Sequence, residues 1–255
     1  MGDNCKYMSF YQHADGFGSQ FQHILATIIY CFNNGYLFVY NPIEYIEHNY
    51  DNDTEYVAKI ETLMNLRSHY KNVGDPCLEG KHIEHLMNAK GILDMNINHY
   101  DMDKCLAPIR EMFWANKDKK SVFCSGKIHV AIHIRRMNEY DKTLQRAHEE
   151  IFRFNSRDSY YLHIMERIRQ EHGERGELQF HVYSQGEPAD FECYIAPDTI
   201  LHINENICDT FTQMVAADII MTSFSSLSYV AALLSEGTVY FHPFWHQPRA
   251  HWIRI

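Results

Sequence analysis

Apolar and polar positions in the first 40 residues predict a strand, a loop, a helix and a second strand. Residues 6–12 are rich in aromatic side chains and predict the first strand. After the loop 13–20, apolar side chains recur at helical spacing and form one stripe: Phe21, Leu25, Ile28 and Phe32. The triplet 33–35, Asn-Asn-Gly, ends this helix, and residues 36–40 predict the second strand. This succession is typical of the start of an α/β sheet.

The second half of the chain repeats the alternation of strands and helices more clearly. Predicted strands cover residues 127–134, 180–183, 200–203, 218–222 and 238–241, and predicted helices cover residues 158–171, 209–216 and 227–234. Strands that alternate with helices predict a parallel, doubly wound sheet. We therefore predict an α/β protein.

The middle of the chain is less regular and contains the predicted domain boundary. Residues 54–70 predict a helix, whereas residues 71–120 are polar with weak periodicity. The charged stretch 116–120 is typical of a linker. We expect an N-terminal, acceptor-side Rossmann-like domain over residues 1–120 and a C-terminal nucleotide-sugar-binding domain over residues 121–255.

Composition narrows the classes of function. The chain has 255 residues, of which 45% are hydrophobic, which is enough for a buried core. Its formal net charge is -10, so nucleic acid is a disfavoured partner. The seven cysteines include no CxxC pair, which favours reduced thiols over a disulfide framework or a zinc site. Neither a signal region nor a run of about 18 apolar residues occurs, so we expect a soluble, cytoplasmic protein with no transmembrane segment.

Polar clusters follow three of the predicted strands in the second half. They cover residues 133–136, 184–187 and 223–226. Ligands of doubly wound sheets bind beyond the carboxyl ends of the strands, where these clusters are expected to converge. This convergence predicts a binding site at one edge of the sheet.

The first cluster carries two adjacent guanidinium groups, Arg135 and Arg136. Arginine offers a planar, permanently charged fork that suits phosphate, although ion pairs with Glu139 and Asp141 are an equally good explanation. His133 shares a strand face with Arg135 and is either a base or ribose contact or a core histidine with satisfied hydrogen bonds.

Two further loops could approach a phosphate. The sequence 223–226, Ser-Phe-Ser-Ser, precedes a helix, so its hydroxyl and N–H groups could hold an anion or simply cap the helix. The loop 15–20, with Gly16 and Gly18, allows close approach of a ligand to the backbone, or forms a tight turn. Two DxD triplets, 51–53 and 101–103, could hold a divalent metal, but neither follows a convincing buried strand.

These motifs resemble those of the α-1,6-fucosyltransferase superfamily, which includes the core fucosyltransferases of N-glycans and the nodulation fucosyltransferases. Residues 130–136, Val-Ala-Ile-His-Ile-Arg-Arg, resemble its HxRR motif, and residues 217–226 resemble its later AD…TFSS motif. Residues 16–20, Gly-Phe-Gly-Ser-Gln, are similar to its N-terminal glycine loop. The matches occur in the family's order, whereas residues 41–120 match poorly and Asn138 stands where the family often has Asp.

The resemblance implies a GT-B-like architecture of two Rossmann-like domains, inverting transfer and no metal or other cofactor besides the co-substrate, a GDP-sugar. It places the donor's β-phosphate on Arg135 and the nucleoside near His133 and the segment of Ser184, Gln185 and Glu187. It also places the diphosphate near Ser226 in the segment that holds Ser223 and Ser225. The pattern at Glu149 looks like the counterpart of the family's general base, and Asp15 is our second choice for that role, made apart from the resemblance.

The sequence therefore predicts transfer of fucose from GDP-fucose to a glycan or glycoconjugate hydroxyl. Arg135 would stabilise the leaving diphosphate, as electrostatic catalysis requires. Two alternatives stay open: a metal-dependent GT-A transferase that uses a DxD triplet with another nucleotide sugar, and a non-catalytic nucleotide-sugar-binding protein. The aromatic segment 242–255 could contact an acceptor, although a packed C-terminal segment is the default expectation.

Overall fold

A computed structural model describes residues 5–49, 52–123, 126–136 and 157–255. The chain divides into two compact units, unit 1 from Met1 to Lys117 and unit 2 from Asp118 to Ile255. No helix in the described residues combines the length and the apolar character that a membrane span requires.

Unit 1 is built on a four-stranded parallel sheet. Its strands are β1 (Tyr7–Phe10), β2 (Leu37–Tyr40), β3 (Lys71–Asn72) and β4 (Ile83–Leu86), in the order β3-β2-β1-β4. Its helices are α1 (Phe17–Asn34), α2 (Tyr56–Met64), α3 (Ala89–Asn96) and α4 (Met102–Trp114). β1 is buried along its whole length in the centre of the sheet.

Capping residues explain where two of the unit 1 helices end or begin. Gly35 adopts the left-handed conformation with φ of 67°, and the N–H of Tyr36 bonds the Cys31 carbonyl at 2.9 Å, which closes α1. Asp101 precedes α4 and caps it, because its carboxylate accepts a hydrogen bond from the N–H of Lys104 at 3.2 Å.

Unit 2 is built on a six-stranded parallel sheet. Its strands are β5 (Ile128–His133), β6 (Leu178–Ser184), β7 (Thr199–Ile203), β8 (Ile219–Met221), β9 (Thr238–Phe241) and β10 (Ile253–Arg254), and its helices are α5 (Asp158–His172), α6 (Ile207–Ala216) and α7 (Ser226–Leu234). The order is β10-β9-β8-β5-β6-β7. Counted from β5, this is the strand order of the doubly wound dinucleotide-binding folds.

The two faces of the unit 2 sheet differ in chemistry. Val130, Ile132 and Val182 lie on one face, in a core that also contains Tyr161 and Ile164 of α5. His129 and His133 lie on the opposite face, because successive strand residues point to opposite sides. Both are almost fully buried.

The predicted α/β class with parallel sheets is confirmed. Two parallel sheets, of four and six strands, are compatible with two Rossmann-like domains. The predicted domain boundary followed residue 120. Along the sequence, the division between the two compact units falls between Lys117 and Asp118.

Candidate functional site

The strand order reverses direction between β5 and β8, and two of the predicted clusters meet there. β6 and β7 lie on one side of β5, and β8 and β9 lie on the other. Such a switch point leaves a crevice at the carboxyl ends of the two central strands. His133 ends β5, and Ser223 follows β8 by two residues. The Nδ1 atom of His133 lies 2.6 Å from the Ser223 Oγ atom, which ties the HxRR segment to the serine loop.

A small network of serines supports this contact. The Ser228 Oγ atom accepts a hydrogen bond from the N–H of Ser223 at 3.1 Å and donates to the Ser225 carbonyl at 3.2 Å. The Ser225 hydroxyl caps α7 by accepting from the N–H of Leu227 at 3.2 Å. The loop 223–226 is therefore held at the N-terminal end of α7, where the helix dipole favours a negative group.

His133 is neutral in this environment. Burial, together with the nearby positive charge of Arg135, lowers the pKa of His133 from 6.5 to about 3. Ser223 Oγ lies much closer to His133 Nδ1 than to Ser228 Oγ, at 2.6 Å against 3.5 Å. We therefore assign the Ser223 hydroxyl as donor to Nδ1, which places the ring proton on Nε2, where it can donate to a ligand. Arg135 itself is half-buried, two residues after the end of β5.

Arg136 is engaged within unit 2. Its guanidinium pairs with the Asp158 carboxylate at the start of α5, and it lies over the Phe191 ring at 5.2 Å. The Tyr194 hydroxyl donates to the same carboxylate at 2.7 Å. These contacts favour the ion-pair explanation for Arg136, with Asp158 as the partner; Glu139 and Asp141 lie outside the described residues. Donor binding by Arg136 stays a prediction.

The end of β6 contributes the third predicted cluster. Ser184 donates its hydroxyl to the Ile134 carbonyl at 2.8 Å, so it joins the ends of β5 and β6. Gln185 and Glu187 are exposed. The side chain of Asn204 holds the loop between them, because it accepts from the N–H of Gly186 at 3.0 Å and donates to its carbonyl at 2.8 Å. The exposed loop thus has a fixed conformation at the edge of the sheet.

An imidazole chain, defined as His129, His181 and His202, crosses the polar face of this sheet. His129 Nδ1 lies 2.9 Å from His181 Nε2, His181 Nδ1 lies 2.9 Å from His202 Nε2, and His202 Nδ1 lies 2.8 Å from the Glu205 carboxylate. Burial and the neighbouring rings lower the pKa of His181 to about 3. Tyr183 stacks on His202, with 4.6 Å between ring centroids. The chain runs from the start of β5 to the carboxyl end of β7.

The predicted glycine loop lies in unit 1. Gly16 precedes α1 and Gly18 lies in its first turn. Both glycines are buried. Asp15 Oδ1 accepts from the N–H of Gly16 at 2.8 Å, and Asp15 Oδ2 accepts from the hydroxyl of Ser19. Both carboxylate oxygens of Asp15 are therefore engaged at the start of α1. The role of Asp15 as a base stays a prediction.

The described parts of the DxD triplets have other roles. Asp53 pairs with Lys59 at 2.6 Å, and these contacts hold the pKa of Asp53 below its usual value. Asp101 caps α4, and Asp103 lies in the first turn of that helix. Asp51 lies outside the described residues, as does Glu149, the first choice for the general base.

The aromatic C-terminal segment packs beside the serine loop. Phe224 of that loop contacts Trp245 edge to face at 4.4 Å between ring centroids, and it also contacts Phe244. Tyr229 of α7 donates its hydroxyl to the Gln247 carbonyl at 2.7 Å. The default expectation of a packed segment is therefore correct, although Trp245 remains 49% exposed.

Three residues that shape the site were missed by sequence reasoning: Ser228, Asp158 and Asn204. Ser228 had a usable signal, because it lies two residues into α7 and can reach back to the preceding loop. Asn204 had a weaker one, since asparagine readily adopts the left-handed conformation that it shows here, with φ of 58°. Asp158 starts a helix, and its partner, 22 positions away, could not be read from the sequence.

Comparison of the chain with protein-family models, with curated proteins and with solved structures returned no match.

Proposed function

We propose that the chain is an inverting, metal-independent glycosyltransferase of the GT-B type that transfers fucose from GDP-fucose to a hydroxyl group of a glycan or glycoconjugate. The donor would bind at the carboxyl edge of the unit 2 sheet. The fucosyltransferase resemblance supplies the sugar and the base, and the geometry of unit 2 supports the location.

One observation carries the proposal: the 2.6 Å contact between His133 Nδ1 and Ser223 Oγ at the β5/β8 switch point. It brings the HxRR segment, the N-terminal end of α7 and the charge of Arg135 to the place where doubly wound sheets bind nucleotides. A pyrophosphate there would meet a permanent positive charge, the positive end of a helix dipole and the Nε2–H of His133.

In the proposed reaction, the acceptor hydroxyl oxygen forms a bond to the anomeric carbon of the sugar as the bond to the β-phosphate oxygen breaks. The electron pair of that bond stays with the leaving GDP, whose added negative charge Arg135 stabilises. The proton of the acceptor hydroxyl passes to a carboxylate, Glu149 or Asp15. Attack opposite the leaving group inverts the anomeric configuration.

The test is calorimetric titration of the chain with GDP-fucose, other GDP-sugars and UDP-sugars. We expect GDP-fucose to bind tightest, and Arg135→Ala to weaken it at least tenfold, since a charge-assisted contact contributes about 1.5–3 kcal/mol. Arg167→Ala is the matched control, because Arg167 is a partly exposed arginine of the same unit that pairs with Glu171 on the helix surface. This control should bind as the wild type does.

A radiolabelled transfer assay over a panel of glycan acceptors separates the enzyme from a binding protein. Turnover that Arg135→Ala abolishes supports the proposal. Binding of GDP-fucose with no turnover on any acceptor would favour the non-catalytic alternative, and wild-type turnover by Arg135→Ala would refute the role of Arg135.

A further inference from the structure

A second cluster of chemically competent side chains lies in unit 1. Asp15 follows β1, and Glu47 and His48 belong to the segment after β2. Two carboxylates and one imidazole each offer one ligand atom, and these three atoms all lie within 4.8 Å of one another. We propose that Asp15, Glu47 and His48 bind a divalent transition-metal ion.

The three atoms are close enough to converge on one ion. Adjacent ligands that each lie about 2.1 Å from one ion are about 3.0–3.4 Å apart. The 4.8 Å limit exceeds this spacing by at most about 1.8 Å, which side-chain rotations would have to close when an ion binds. All three residues are half-buried, so water can complete the shell.

The backbone fixes the two segments against each other before any ion binds. Gly16 and Glu47 form a parallel β-bridge, and the N–H of Glu47 donates to the Asp15 carbonyl at 3.0 Å. The His48 ring lies directly against Gly16, where an added Cβ atom would come within 2.5 Å of His48 Cδ2. Gly16 thus makes room for a histidine ring, and this close approach holds the imidazole beside the carboxylate of Asp15.

The carboxylate of Asp15 is oriented as metal ligands commonly are. Its two oxygens accept from the Gly16 N–H and the Ser19 hydroxyl, which leaves a lone pair on each oxygen. Lys90 donates to Ser19 Oγ, and its ammonium charge interacts with Asp15, so it competes with a bound cation for that carboxylate. His13 Nε2 lies 3.7 Å from Asp15 Oδ2 and, when protonated, is a second competing cation.

The ligand types indicate which ion fits. An imidazole beside two carboxylates suits Mn²⁺, Fe²⁺ or Zn²⁺, whereas Ca²⁺ and Mg²⁺ prefer oxygen alone. The bound ion would link the loop after β1 to the segment after β2. Asp15 is also the second choice of base in the proposed transferase reaction, and as a metal ligand it would leave that role to Glu149; the phosphate-facing groups of that reaction lie in unit 2.

The experiment is titration of the full chain with MnCl₂, followed by calorimetry and by the EPR signal of free Mn²⁺. We expect one Mn²⁺ per wild-type chain. Glu47→Gln removes one charge with little change of shape and should weaken Mn²⁺ binding more than tenfold. Glu44→Gln changes an exposed carboxylate of the same segment and is the matched control, which should bind as the wild type does.

A second variant tests the close contact between Gly16 and the His48 ring. Gly16→Ala should displace the His48 ring and also weaken Mn²⁺ binding. Absence of binding to the wild type at millimolar Mn²⁺ would overturn the proposal, as would a Glu47→Gln chain that binds Mn²⁺ with wild-type affinity. Neither outcome depends on a nucleotide sugar, so failure of this inference and failure of the proposed function are distinguishable.

Discussion

Replacing Ser223 by alanine removes the hydroxyl that joins the ends of β5 and β8. The hydroxyl is fully buried and lies 2.6 Å from His133 Nδ1, which is itself almost fully buried. The change therefore leaves a buried ring nitrogen without its hydrogen-bond partner, which costs about 1–3 kcal/mol. We expect unit 2 to lose about 2 kcal/mol of unfolding free energy.

Urea unfolding monitored by tryptophan fluorescence measures this loss in unit 2 alone. The chain has three tryptophans, and in a Trp114→Phe background the remaining two, Trp245 and Trp252, both lie in unit 2. Ser226→Ala is the control at a half-buried serine of the same loop and should change the free energy by less than about 0.5 kcal/mol.

A double-mutant cycle identifies the partner. In a His133→Leu background there is no ring nitrogen to leave unsatisfied, so the cost of Ser223→Ala should fall below about 0.5 kcal/mol. If Ser223→Ala costs nothing in the wild-type chain, or costs the same in both backgrounds, the hydrogen bond does not hold the two motifs together.

Three further predictions concern other parts of the chain. Because the Glu205 carboxylate can only accept, every ring of the imidazole chain should carry its proton on Nδ1; an Nε2–H tautomer of His129, His181 or His202 in long-range ¹H–¹⁵N NMR spectra would contradict this. Gly237→Ala should lower the unfolding free energy by about 3 kcal/mol, because its Cβ atom would come within 2.4 Å of the Asp218 carbonyl oxygen; Gly173→Ala, with no atom within 4 Å of the added Cβ, is the control in the same urea titration. Burial lowers the pKa of His23 from 6.5 to about 4, so the unfolded chain binds a proton that the folded chain refuses between these values, and stability should fall with decreasing pH. The slope of unfolding free energy against pH should be about 1.4 kcal/mol per unit steeper in the wild type than in His23→Gln, and equal slopes would refute the assignment.

Much of the fold could be predicted because its signals are local. The predicted strand over residues 6–12 contains β1, which is shorter at Tyr7–Phe10, and the Asn-Asn-Gly triplet ends α1 at Gly35 as expected. In the second half, the predicted strand 238–241 matches β9, and the predicted helix 227–234 differs from α7 by one residue. Apolar periodicity and glycine at a left-handed position are read directly from neighbouring residues.

The elements that were missed depend on distant contacts. The predicted helix 54–70 ends early, at Met64, because Asn65 adopts the left-handed conformation and its side-chain amide donates to the Met112 carbonyl at 2.8 Å. The weakly periodic stretch 71–120 contains α3 and α4, and α4 carries Pro108 in its interior. A proline inside a helix removes an N–H donor and is unfavourable there, so the local sequence argues against a helix around Pro108. Packing of the buried side chains of α4 therefore has to stabilise this helix.

The candidate site shows the same division. Placement of His133 and Ser223 at strand ends followed from the strand pattern. The hydrogen bond between these two residues, which are 90 positions apart in the sequence, could not be predicted from that pattern. The partner of Gly16 was also unforeseen, because the glycine accommodates a side chain of this chain, His48, rather than leaving open space for a ligand.

The row of histidines across the unit 2 sheet behaves as a single cooperative unit. The middle ring, His181, donates to His202 and accepts from His129, so it cannot exchange its two nitrogens alone without setting two donors and two acceptors face to face. A side chain that only donates, placed at the middle position, His181, would keep the contact with His202 and lose the one with His129, and one that only accepts would do the reverse. Side-chain hydrogen bonds between these rings thus join β5, β6 and β7 in addition to the backbone hydrogen bonds of the sheet. Their contribution to stability depends on all three rings together.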